Sequence, residues 1–88
     1  MTREAAHLAL AQPAHHSPLR VHLIGVAGSG MSGLASLFLA LGHRVSGSDR
    51  VATGETTRLQ GLGMAFTCPH SAESVADAEI VVYSSAVK

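Results

Sequence analysis

Gly25-Val26-Ala27-Gly28-Ser29-Gly30-Met31-Ser32-Gly33 is the stretch whose reading decides the fold. It follows a short apolar run, Val21-His22-Leu23-Ile24. It opens a segment from Met31 to Leu41 with Met31, Leu34, Ala35, Leu37, Phe38 and Leu41 at helical spacing. The order is strand, glycine loop, helix. Glycines let the backbone take positive φ and approach a ligand without a Cβ in the way. The N–H groups at the helix start have no helical acceptor and point at whatever lies beyond it, which favours an anion. The loop therefore predicts a nucleotide-phosphate site.

The loop can be read in two registers. Gly25-x-Ala27-x-x-Gly30 is the dinucleotide fingerprint with alanine at its second position. Gly28-x-Gly30-x-x-Gly33 matches G-x-G-x-x-G literally, but needs the strand to continue through Val26. The alternative to both is a strand–helix turn whose glycines serve packing alone. Four glycines and two serines in nine residues weigh against that.

Outward from the loop, the pattern alternates. Gly42 ends the first helix as a C′ glycine. Arg44 to Ser48 reads as a second strand ending near Asp49. Thr53 or Thr56 caps a second helix carrying Leu59 and Leu62 and stopping at Gly63. Met64 to Thr67 is a short third strand, Ser71 caps a turn of helix through Ala76, and Ile80 to Ser84 is a β-branched fourth strand. Such alternation predicts an α/β fold, a Rossmann-like parallel sheet of about four strands with flanking helices. The last residue, Lys88, comes soon after the fourth strand, where such sheets normally continue, so the expectation is an incomplete, N-terminal fragment.

Residues 1–19 differ, with Pro13, Pro18 and three of the six histidines (His7, His15, His16). They read as a flexible tail, with a short helix over Glu4 to Ala11, before a domain spanning 20–88. His15-His16 without further ligands reads as a solvated pair rather than a metal site.

Composition excludes several classes. The 88 residues are 47% hydrophobic and 14% charged, which is globular rather than disordered. Six basic and six acidic residues give zero net charge and no basic stripe, so no nucleic-acid partner is expected. No apolar run approaches the roughly 20 residues of a membrane span, and no signal peptide is visible. The single cysteine, Cys68, excludes an internal disulfide and reads as a small buried hydrophobe. These features point to the cytoplasm.

Other candidates gather on one rim. Asp49, about 20 residues beyond the loop, suits a ribose hydroxyl or another donor; the bland alternative is a surface aspartate. Of its neighbours Ser46 and Ser48, one is expected to face solvent with no task. His70, and Ser84-Ser85, follow the third and fourth strands at the carboxyl ends where ligands sit in such sheets. His70 suits a phosphate or sugar oxygen, or is merely exposed. There is no G-x-x-x-x-G-K-[ST] loop, metal cluster, paired carboxylates or nucleophile–base pair. No catalytic residue is assigned, and the segment is expected to bind rather than react.

HLIGVAGSGMSGLASLFLALGHRVSGSD, TTRLQGLG, PHS and VVYSSAV together resemble the N-terminal domain of the Mur ligases, over Val21 to Val87. The Gly30-Met31-Ser32 run is most similar to the branch that adds L-alanine to UDP-N-acetylmuramate in peptidoglycan biosynthesis. The resemblance implies a UDP-binding set of Gly25, Ala27, Gly28, Ser29, Gly30, Met31, Ser32, Asp49, His70, Ser84 and Ser85. The family has glycine where Ala27 stands. The resemblance further implies an ATP-dependent, ADP-forming ligase in which the acyl phosphate of the muramyl carboxylate is attacked by the alanine amine. ATP and Mg²⁺ would sit in a central domain outside these residues; no cofactor is expected in this segment. Three alternatives stay open: the ligase that recycles murein peptide, the first half of an NAD(P)-dependent oxidoreductase, and a non-catalytic nucleotide-binding module.

Overall fold

The computed structural model describes residues 1–4, 18–68 and 75–83, apart from the side chain of Ser29. Strand β1 is Arg20–Ile24, helix α1 Ser29–Ala40, strand β2 Arg44–Ser48, helix α2 Gly54–Gly61, strand β3 Ala65–Thr67 and strand β4 Ile80–Val82. The four strands form one parallel sheet in the order β3-β2-β1-β4. The fold class is the one the alternation predicts. The chain steps from β1 to β2 to β3 in one direction. Right-handed crossovers therefore set α1 and α2 on one face, where they pack on each other and on β2 and β3. The turn of helix expected over 71–76 falls mostly outside the described residues.

Period-two alternation sorts the strand side chains. Val21, Leu23 and Val45 join Leu34, Phe38 and Leu59 in the helix-side core. Fully burying a side chain such as Leu59 contributes roughly 1.5–3 kcal/mol. The core is aliphatic apart from Phe38.

Both helices end by the same device. Gly42 and Gly63 take φ of +91° and +111°. After α1, His43 N–H donates to Phe38 O and Gly42 N–H to Leu39 O. After α2, Met64 N–H donates to Leu59 O and Gly63 N–H to Gln60 O. These are Schellman closures, and each repeats the hydrophobic contact that goes with them: Met64 and Leu59 are both buried, and the His43 and Phe38 rings meet edge to face. The Leu-Gly pairs at 41–42 and 62–63 thus turn each helix straight into its next strand.

Thr53 caps α2 reciprocally with Thr56, their side chains and N–H groups bonding at 2.8 and 3.3 Å. Helix α1 has no such cap. Its N-cap is Gly28, with no side-chain hydrogen bond and no acidic residue in the first turn.

Two expectations are corrected. Cys68 is exposed, its thiol donating to the Arg50 carbonyl at 3.3 Å, because it follows β3 where the chain leaves the core. Neither Ser46 nor Ser48 is idle. Two positions apart on one strand, they face the same side of the sheet, and both bond His22. Residues 1–4, expected in the tail, lie beside β4: Thr2 bridges Tyr83 in parallel. Among the described residues no helix is long and apolar enough to cross a membrane.

Candidate functional site

The glycine loop sits at the carboxyl ends of β1 and β2. Strand β1 stops at Ile24, and Gly25 takes φ of +78°, open to glycine without strain. The N–H groups of Gly25 and Val26 both donate to Ser48 O, at 2.8 and 3.1 Å, and Gly28 N–H closes a turn on Gly25 O. The register is thereby settled. The positive-φ glycine directly after the strand is Gly25, as the first reading needs. The second reading needs β1 to run on through Val26, and it does not.

Val26 anchors the loop. It is fully buried on the helix face of β2. A Cβ at Gly47 would come within 2.8 Å of Val26 Cγ1 and 3.0 Å of Met64 Sδ. Gly47 therefore leaves the space that Val26 fills. This residue escaped the sequence reading, although a glycine inside a strand is itself a sign of close approach.

Asp49 braces the loop from β2. Its Oδ2 accepts the Ala27 N–H at 3.0 Å and its Oδ1 the Arg50 N–H at 2.7 Å. An ionised carboxylate has about four acceptor positions, and the described residues occupy two of them. Among the described residues no non-glycine has positive φ, so Ala27 fits its place in ordinary backbone geometry.

Beneath this, His22 is fully buried on β1. Its Nδ1 lies 2.8 Å from Ser46 Oγ and its Nε2 2.9 Å from Ser48 Oγ. Ser48 thus holds His22 through its hydroxyl and the root of the loop through its carbonyl. The signal was a histidine inside an apolar strand beside a second strand reading Ser-Gly-Ser.

The first turn of α1 divides its tasks. Met31 is buried in the core and Ser32 is buried beside α2. Glu55 is held below the usual carboxylate range first by hydrogen bonds from Arg58 and then by one from Ser32. Arg58 also reaches Ser36 at 3.0 Å. The Ser32 and Met31 side chains thus secure the helix, leaving backbone N–H groups at its start. Over Gly30 lies the Arg3 guanidinium, in the space a Cβ would need. The structure brings together Gly25 to Ser32 and Asp49; His70, Ser84 and Ser85 lie outside the described residues.

A cleft of about 560 Å³ lies at the opposite, amino ends of the strands, lined by Arg20, His43, Arg44 and Ala65 among others. It is remote from the loop. Among the described residues no three or more His, Cys, Asp or Glu side chains group as metal ligands.

A family model described as Mur ligase family, catalytic domain, matches residues 20–88. The chain belongs to the Mur ligase family. It is 49% identical over 72 residues to a UDP-N-acetylmuramate–L-alanine ligase of Bordetella avium, covering 82% of this chain and 15% of that protein. It is 50% identical over 68 residues to the protein of the same name from a Geobacter species, covering 77% and 15%. The segment therefore spans about 15% of the length of the curated relatives it matches. Among solved structures it is similar to an NAD-complexed D-isomer specific 2-hydroxyacid dehydrogenase from Lactobacillus delbrueckii ssp. bulgaricus. That likeness has a TM-score of 0.62 and 27% identity, covering 80% of this chain and 19% of the other.

Proposed function

We propose that this family member is the UDP-binding segment of a cytoplasmic ligase that joins L-alanine to UDP-N-acetylmuramate with hydrolysis of ATP. The observation that carries this reading is the 47–50% identity to ligases of that name over most of the chain. The site's chemistry supports it. The uncapped start of α1 suits a diphosphate, and the Asp49 carboxylate, an acceptor when ionised, suits a hydroxyl or N–H of the nucleoside.

The part played by these residues is positioning. Holding the sugar nucleotide in one orientation presents its muramyl carboxylate in register for reaction, which lowers a barrier substantially. ATP and Mg²⁺ do not fit the described residues, which offer no metal-ligand cluster, and the sequence has no G-x-x-x-x-G-K-[ST] loop. Further parts of the protein would hold them.

The likeness to an NAD-complexed dehydrogenase favours a second reading, a nicotinamide-dinucleotide site with the same loop and strand-two acid. Titration calorimetry with UDP-N-acetylmuramate, UDP and NADH separates the two. The ligase reading expects heat from the UDP ligands and none from NADH. Tight NADH binding without a UDP response overturns it.

A further inference from the structure

The amino end of α1 gathers positive charge. The first intrahelical bond runs from Ser32 N–H to Gly28 O, so the N–H groups of Gly30 and Met31 have no acceptor within the helix. No acidic side chain stands in the first turn and none caps it. Into this positive pole the chain places a cation: Arg3 covers Gly30 so closely that a Cβ there would collide with its guanidinium. A cation at a helix amino end is unfavourable by itself. An anion between the two makes the arrangement favourable.

Arg3 is brought there by backbone pairing. The Met1 nitrogen donates to Val81 O at 2.7 Å, Tyr83 N–H to Met1 O at 3.0 Å, and Arg3 N–H to Tyr83 O at 2.9 Å. These bonds lay the arm along the outer edge of β4. Strand β4 neighbours β1, so the arm runs out at the same rim as the glycine loop. The side chain then reaches across to α1. Among the described residues the guanidinium bonds the exposed Glu4 carboxylate at 3.2 Å, and most of its five N–H groups make no other bond there.

We propose that Arg3 is a phosphate ligand of the glycine-loop site, binding the diphosphate of the nucleotide from the side opposite the α1 N–H groups. The proposal rests on the UDP-sugar reading above. A guanidinium fork matches phosphate oxygens in pairs, and Gly30 gives it room to approach the helix.

The test is titration of the full chain and its Arg3→Ala and Arg3→Lys variants with UDP-N-acetylmuramate, UDP, uridine and inorganic pyrophosphate, at low and high salt. Circular dichroism confirms that each variant folds. Arg3→Ala is expected to weaken UDP-N-acetylmuramate, UDP and pyrophosphate by roughly 5- to 20-fold, the scale of a partly exposed charged hydrogen bond. Uridine, without phosphate, is expected to bind both alike. The variant's affinity should depend less on salt, and Arg3→Lys should recover part of the loss. Equal or tighter UDP binding by Arg3→Ala overturns the proposal while leaving the ligase reading in place; tighter binding would make Arg3 an obstruction. If the unaltered chain ignores UDP ligands, the ligase reading fails, and the pyrophosphate comparison alone decides whether Arg3 binds phosphate.

Discussion

The Asp49 carboxylate accepts the Ala27 N–H at 3.0 Å, so the acid closing β2 holds the loop that follows β1. One side chain thereby serves both structure and ligand. Asp49→Ala removes the acceptor for two loop N–H groups. The expected loss is about 1–2 kcal/mol of stability, for half-exposed bonds to a charged group, together with weaker UDP binding. Asp49→Asn keeps one acceptor oxygen and should fall between. Urea denaturation of the three proteins checks this, and an unchanged midpoint for Asp49→Ala removes the brace from the account.

The Val26–Gly47 contact predicts an overpacking penalty. A methyl group at Gly47 would stand 2.8 Å from Val26 Cγ1, and a valine has little freedom to yield. Gly47→Ala should cost roughly 1–3 kcal/mol. Val26→Ala opens space at the same point, so the double variant should be more stable than the sum of the single losses predicts. Strict additivity in denaturant midpoints would show that the two residues do not meet.

Much of this was legible in the sequence because its signals are local. Glycine after an apolar run, helical spacing from Met31 to Leu41 and the Leu-Gly pairs at 41–42 and 62–63 each act within a few residues. Thr53 and Thr56, three apart, announce the α2 cap in the same way. The position of Asp49 was legible too, since a strand end fixes it. Its bond to Ala27 was not, because that depends on how β1 and β2 stand side by side. The same holds for His22, which needs Ser46 and Ser48 from the next strand, and for Gly47, whose missing Cβ matters only once Val26 folds over it. Arg3 lies farthest from local reasoning: its place follows from pairing with Tyr83, 80 residues along the chain. Cys68 reads as a small hydrophobe by type, yet lies outside the core because β3 ends just before it.

Glu55 predicts a pH effect of definite sign. Hydrogen bonds from Arg58 and then Ser32 lower its carboxyl from the ordinary 4.5. A group whose folded value is depressed stabilises the fold above its unfolded value, and that contribution disappears as pH falls through the lower folded value. Glu55→Gln should therefore melt below the unaltered protein at neutral pH, and the difference should close as pH drops below 4.5. Added salt should shrink it as well, since the group is exposed. A difference that persists unchanged into acid would assign the effect to packing instead.

Gly30 and Arg3 occupy one place, which fixes how their substitutions combine. Gly30→Ala puts a methyl group where the guanidinium lies and forces Arg3 away from the helix start. The backbone conformation itself tolerates alanine, since Gly30 is helical and has no positive φ. The variant should fold normally, with stability rising slightly if it changes at all, because alanine is the better helix former by about 1 kcal/mol. Its UDP affinity should nevertheless fall by roughly the factor that losing one charged hydrogen bond gives. Once Arg3 is displaced, Arg3→Ala has little left to remove, so the double variant should bind about as well as the weaker single variant. Calorimetric titration of the four proteins with UDP measures that coupling. Independent, multiplying losses would mean that Gly30 meets the ligand without Arg3, and that the guanidinium makes its contact elsewhere.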